Sequence, residues 1–319
     1  MSFIINKSNF TRKIKKFFFI VLFVLFFFLS LKLIDMSLAY LTGLGKPVIY
    51  NYSSIYGYEI KKKQETKRKG KIIKINNMGM RSNHEWRGTQ SYKILFMGDS
   101  VTYGGAAVSN DEIFSEKTCE KIKKEKNDNF ICGNLGTNGY GIEAISKRIK
   151  YKSFQDENLI IIVLIGNDFD RGLNHLAMQP FWSAEINNFY PAITDLIMIY
   201  IDKLRISIRF PNISEIKASK KIQEKYYLES IKEFKKNLIE NKKKYLIVYS
   251  PEKQEFDNPK KYFFIKNILK KNFNDFIDIS ESKLIKKDEI YIDNVHLNKE
   301  GHEIYATIIY DYIKKKYLK

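Results

Sequence analysis

The chain reads as an α/β protein built on a parallel sheet with helices on both faces, preceded by one membrane-spanning helix. Three observations carry this reading. From Lys93 onward, apolar strand-like runs alternate with helix-like segments. One run, Leu159–Ile165, is apolar throughout, as a central parallel strand covered on both faces must be. Directly after the first run comes Gly98-Asp99-Ser100, at the carboxyl edge where open α/β sheets present ligand-facing groups.

Residues 17–34 supply the membrane segment. Phe17 to Leu31 is almost purely apolar, and Leu33 and Ile34 beyond Lys32 extend it to the lower end of the roughly 17–25 residues a spanning helix needs. The 1–16 flank carries Lys7, Arg12, Lys13, Lys15 and Lys16 and no acid, which keeps it cytoplasmic and sends the following domain across the membrane. A cleaved signal peptide is the other reading, with Ser37-Leu38-Ala39 as a small-x-small site. Both readings export the domain to the periplasm or the cell exterior.

The 319 residues include 55 basic and 36 acidic ones, a net charge of +19. The lysines are dispersed among Asn and Ile rather than gathered on a stripe. No zinc-finger spacing, RNA-binding aromatic motif or P-loop accompanies them, so nucleic acid is not an expected partner. Cys119 and Cys132, the only cysteines, either pair outside the cytoplasm or stay as two buried thiols. Neither sits in a metal-ligand cluster.

In chain order, 35–92 is a polar and aromatic lead-in with a basic run at Lys61–Lys71, read as a solvated loop or a contact for anionic lipid or glycan. The domain proper occupies 93–319. Its strand candidates are Ile94–Met97, Phe130–Asn134, Leu159–Ile165, Tyr245–Ser250 and Phe273–Ile279. Helical patterns fall at 111–126, 141–152, 217–240, 260–271 and 299–316. In the third of these Ile222, Tyr226, Ile231, Phe234 and Leu238 share a face. Residues 171–216 interrupt the rhythm with a loop around His175 and an apolar helix at 193–208. That insertion is a lid, a membrane-leaning helix or extra core.

Four stretches meet at the carboxyl edge of this sheet. Ser100 follows the first strand. The glycine-dense Asn134-Leu-Gly-Thr-Asn-Gly-Tyr-Gly141 ends the second, Asn167-Asp168 ends the third, and Asp293-Asn-Val-His296 lies near the C-terminus. Acyl transfer by a serine needs a base, a group that orients the base, and donors aimed at the developing oxyanion. His296, Asp293 and the set Ser100 N–H, Gly139 N–H and Asn167 amide match those needs. Gly136 and Gly141 stand close enough to Gly139 to share a turn-forming role, and His302 fits a structural place on the following helix.

These blocks, in this order, resemble the four motif blocks of the SGNH (GDSL-like) hydrolase superfamily over about 93–312. The resemblance implies a flavodoxin-like three-layer α/β/α sandwich with five parallel strands in the order 2-1-3-4-5. It also implies esterase or acyl-transfer chemistry without cofactor or metal. Ser100, Asp293 and His296 would be the catalytic triad; Ser100, Gly139 and Asn167 would form the oxyanion hole. One departure is that the third block usually reads Gly-x-Asn-Asp, whereas here Gly166 is adjacent to Asn167. Gly79-Met80-Arg81 in the lead-in is similar to membrane-anchored bacterial members. The expected activity is hydrolysis of an O-acyl, foremost O-acetyl, ester of a cell-envelope glycan or lipid. The alternatives are an O-acetyltransferase served by a membrane acyl-donor partner, and a catalytically silent glycan-binding or assembly protein.

Overall fold

The computed structural model describes residues 7–86, 92–126, 129–151, 156–172, 191–205, 220–285 and 289–318. Helix α1 (Lys7–Thr42) opens the chain. Its Thr11–Thr42 portion is apolar and long enough to cross a membrane, and none of its most apolar window is buried against the rest of the molecule. The helix runs without a break through Ser37-Leu38-Ala39.

Between α1 and Trp86 the chain forms two antiparallel hairpins, β1 (Tyr50–Ser53) with β2 (Gly57–Ile60), and β3 (Gln64–Arg68) with β4 (Lys71–Ile75). The basic run is therefore a strand pair rather than a loop. On β4, Ile73 and Ile75 turn inward while Ile72 stays exposed, the alternation of a half-buried strand. Tyr50, Tyr58, Ile60, Met80 and Trp86 join one of the two cores of the sheet domain.

That domain runs β5 (Tyr92–Gly98), α2 (Ser100–Tyr103), α3 (Phe114–Lys126), β6 (Phe130–Asn134), α4 (Ile142–Tyr151), β7 (Leu159–Leu164), α5 (Ala192–Arg205), α6 (Lys220–Asn241), β8 (Lys244–Tyr249), α7 (Phe263–Asn272), β9 (Phe276–Asp278) and α8 (Lys299–Tyr317). The five strands are all parallel in the order β6-β5-β7-β8-β9. Counted within the sheet this is 2-1-3-4-5, the expected topology. Successive side chains alternate across the sheet. On β5, Leu95 and Met97 face α4, α6, α7 and the hairpins, while Ile94 and Phe96 face α3 and α8. β7 is buried at every position, as its unbroken apolar run requires. A disulfide between Cys119 and Cys132 ties α3 to β6.

Several boundaries differ from the sequence reading for local reasons. The last strand begins at Phe276 rather than Phe273, because the Phe273 N–H caps α7 through the Leu269 carbonyl (3.0 Å). Helix α3 starts only at Phe114, since Asn110–Glu112 form a 3₁₀ turn and Ile113 is extended. Helix α5 covers the amino-terminal part of the predicted 193–208 helix. The loop around His175 and residues 206–216 lie outside the described residues. On α6, Ile222 is 61% exposed, and the buried face is carried by Tyr227, Ile231, Phe234 and Leu238.

Because the hairpins bury their aromatic side chains in the sheet's own core, residues 43–91 are expected to be part of the folding unit. A chain starting at Gly43 should unfold in one cooperative thermal transition followed by far-UV circular dichroism. A chain starting at Tyr92 should show no such transition, and a cooperative melt for it would make the hairpins an appendage.

Candidate active site

Ser100 opens the short helix α2 at the carboxyl end of β5. Asp99 caps that helix by accepting the Val101 N–H at 2.8 Å through Oδ1. Across the site, the segment before α8 bends back on itself. Tyr291 bridges to Leu297, and the Ile292 N–H donates to the His296 carbonyl at 2.8 Å. Within this bend Asp293 Oδ1 accepts the N–H groups of Val295 (2.9 Å) and His296 (2.8 Å). Its Oδ2 lies 2.7 Å from His296 Nδ1, and His296 Nε2 lies 2.9 Å from Ser100 Oγ. With Nδ1–H donating to Asp293, the free lone pair on Nε2 faces the serine hydroxyl.

Burial pulls the His296 imidazole down in pKa, but the hydrogen bond and charge of Asp293 outweigh it, and the net shift is upward. Burial acts on Asp293 in the opposite sense. The bonds from the His296 ring and the two backbone N–H groups prevail and hold its carboxyl below the usual range. His302 is a different case. It is fully buried, stacks on Phe114, accepts the Phe114 N–H at Nδ1 (3.2 Å), and is pushed down to about 3 by burial, with Arg81 adding to the fall.

The other predicted site residues gather around Ser100. Gly139 has φ +75°, a left-handed conformation that glycine adopts without strain. It lines a pocket of about 430 Å³ next to Ser100. Its turn is pinned from the hairpins, since Tyr58 Oη donates to the Asn138 carbonyl at 2.5 Å and Tyr140 Oη donates to the Tyr58 carbonyl. Asn167 stands on the opposite side, in a cleft of about 1580 Å³ that also takes in His296, Tyr227, Tyr262 and Lys261. Its backbone N–H donates to Glu252 Oε1 at 3.2 Å. Gly166, the departure from the usual third block, has a packing reason here. A Cβ at that position would sit 2.1 Å from the Tyr262 ring, so only glycine lets that ring close over the strand end.

Two charged residues organise the site without having been legible in the motifs. Arg171 Nη1 reaches Asp99 Oδ2, Asp168 Oδ1 and the Tyr140 carbonyl, each at 3.1 Å. Both carboxylates are fully buried. Burial and the nearby Asp99 raise the Asp168 carboxyl well above its ordinary range, against the pull of Arg171. Glu252, 2% exposed, joins the third strand end to the Asp293 bend: beyond Asn167, its Oε2 accepts Asn294 Nδ2 (3.0 Å) and Gln254 Nε2 (2.5 Å). The only signal for either residue was its place just after a strand. Arg81, from the lead-in motif, is also fully buried. It donates to Asn110 Oδ1 (3.0 Å) and to the carbonyls of Tyr103 (2.7 Å), Gly105 (2.5 Å) and Val108 (2.5 Å), holding the loop that follows Ser100.

A parallel sheet in this order, with a serine, an imidazole and a carboxylate joined at its carboxyl edge, defines a hydrolase of the SGNH type. The model of the GDSL-like Lipase/Acylhydrolase family matches residues 94–309, and the chain belongs to that family. No curated protein matches it. Among solved structures it is similar to the lipase Lip_vut3 from a goat rumen metagenome, at 16% identity and TM-score 0.42 over 70% of this chain and 97% of that one. It is similar to the psychrotrophic esterase EstA from Pseudoalteromonas sp., at 14% identity and TM-score 0.42 over 72% and 100%. A third is CEX, a two-domain esterase active on acetylated mannans, at 15% identity and TM-score 0.44; the match covers 72% of this chain and half (50%) of that one.

The His296 ring titrates with a midpoint above the ordinary value of about 6.5. Asp293→Asn removes the upward pull and leaves burial in place, so the midpoint, followed by imidazole NMR, should fall below that of the wild type. An unchanged midpoint would mean that Asp293 does not govern the imidazole.

Proposed function

We propose that the protein is a serine esterase that removes an O-acyl group, foremost O-acetyl, from a glycan or lipid of the cell envelope. The observation that carries this reading is the unbroken hydrogen-bond chain from Asp293 through His296 to Ser100 Oγ, with spacings of 2.7 and 2.9 Å. Ser100 Oγ attacks the ester carbonyl as its proton passes to His296 Nε2. Asp293 holds the ring and stabilises the imidazolium that forms. The Ser100 N–H, Gly139 N–H and Asn167 side-chain amide are the donors assigned to the oxyanion. Collapse of the tetrahedral intermediate breaks the carbon–oxygen bond to the alcohol, which leaves with the proton from His296. Water, deprotonated by the same ring, then attacks the acyl-enzyme and releases the acid and free Ser100. Since the base must be neutral, activity should rise with pH through the His296 midpoint, above that of an ordinary imidazole.

The N-terminal helix supports a setting for this chemistry. With the basic 1–16 flank in the cytoplasm, α1 crosses the inner membrane and the hydrolase domain stands outside it. A sugar hydroxyl in place of water would turn the same acyl-enzyme into an O-acetyltransferase.

A fluorophosphonate probe tests the reading. Ser100 Oγ should displace fluoride and form one phosphorus–oxygen bond, giving a single adduct by intact mass. Ser100→Ala should take no label, and His296→Ala should be slower by roughly 10⁴-fold or more. Folded wild type that neither labels nor hydrolyses 4-nitrophenyl acetate would favour a silent binding protein.

A further inference from the structure

Ser100 stands between two hollows, and the smaller has an unusual wall. One side is the loop after Ser100, with Gly104, Gly105, Ala106 and Ala107; facing it is Lys69, from the turn between β3 and β4. That turn is fastened rather than free. The Lys69 N–H donates to the Thr42 carbonyl at the end of α1 (2.7 Å), with Lys69 itself at φ +48°. Next to it, Arg68 donates to the Gly43 carbonyl (3.2 Å) and pairs with Asp195 at the start of α5. On the same strand, two residues before Arg68, Thr66 Oγ1 donates to the Lys46 carbonyl at 2.5 Å. The tip that carries Lys69 is thus bolted to the carboxyl end of α1.

Two cations of this hairpin pair locally, Arg68 with Asp195 and Lys71 with Glu112 (2.8 Å). Lys69, like Lys67 and Lys74, makes no such pair among the described residues, and of these three it is the one that lines the pocket. Among the described residues no carboxylate oxygen lies within 4.0 Å of its ammonium. The one carboxylate in the same pocket, Asp293, has both oxygens occupied by Val295 and His296. A solvated lysine elsewhere on the surface would carry no meaning. Lys69 is itself exposed, but it lines the same pocket as the serine hydroxyl, and its backbone is held there by the Thr42 carbonyl.

We propose that the small pocket is an anion subsite, in which Lys69 pairs with a carboxylate or phosphate borne by the molecule whose ester reaches Ser100. The inference rests on the esterase reading above and narrows its substrate to anionic O-acyl esters. The pocket wall is completed by the segment joined to α1, so substrate charge is read by the same unit that carries the domain on its membrane helix.

The test uses the full chain in detergent and two matched ester pairs. 4-Acetoxybenzoate against 4-acetoxybenzamide places the charge on the alcohol side; 4-nitrophenyl glutarate against 4-nitrophenyl valerate places it on the acyl side. In at least one pair the wild type should show a KM for the anionic member about 5- to 10-fold below that of the neutral one, and the pair concerned tells which side carries the charge. Lys69→Gln should abolish that preference through KM, Lys69→Arg should retain it, and salt at about 0.5 M should flatten it. Lys63→Gln, an exposed change elsewhere in the lead-in, should leave the ratio as it was. Equal KM values within both wild-type pairs, or a preference that survives Lys69→Gln, would overturn the proposal while leaving the esterase reading intact. Failure of all four esters together with absence of probe labelling would remove both.

Discussion

The site depends on one shared cation. Two carboxylates, Asp99 and Asp168, are buried at the ends of the neighbouring strands β5 and β7, where ionised groups cannot remain unpaired. Arg171 answers both with a single nitrogen and spends a further contact on the Tyr140 carbonyl. The serine turn, the glycine turn and the Asn167 turn are thereby drawn to one point. Since Asp99 also caps the helix that Ser100 opens, the position of the hydroxyl is coupled to this cluster. Glu252 does the corresponding work on the other flank, joining Asn167 to the bend that presents Asp293 and His296.

The second constraint comes from outside the sheet. Arg81 gathers three carbonyls of the loop after Ser100, and Tyr58 fixes the Asn138–Tyr140 turn through its own hydroxyl and carbonyl. A loop containing two adjacent positive-φ glycines, Gly104 and Gly105, has little intrinsic stiffness, and the buried guanidinium supplies it. The segment between α1 and the sheet is therefore structural in the site, and through Lys69 it also borders the space next to the serine.

Much of this was legible in the sequence, and what was not has identifiable causes. Buried parallel strands announce themselves by unbroken apolar runs, so β7 could be placed to within a residue. Three of the four blocks could be found because each sits where a strand ends and the chain must turn; the fourth, Asp293–His296, stands out by its D-x-x-H spacing just before the last helix. The hairpins were hidden because strands of four or five residues with a single buried face leave at most three apolar positions each, and β3, Gln-Glu-Thr-Lys-Arg, leaves none. Arg171 and Glu252 were missed because a charged side chain gives no local sign that it will be buried. Their meaning lies in partners from other strands, 72 positions away for Asp99 and 85 for Asn167. Tyr262 evaded prediction in another way. It adopts φ +57° where the chain enters α7, a conformation that no residue-type preference for tyrosine would suggest.

The most direct test of the central claim is a double-mutant cycle in denaturant between Arg171→Met and Asp99→Asn, whose amide oxygen can still accept the Val101 N–H. If one guanidinium pairs with the buried carboxyl cluster, Arg171→Met alone should cost roughly 3–5 kcal/mol, and adding Asp99→Asn should recover a large part of that loss. Losses that simply add would contradict the account. The arginine would then be a bystander to the carboxylates, and the convergence of the three strand ends would need another cause.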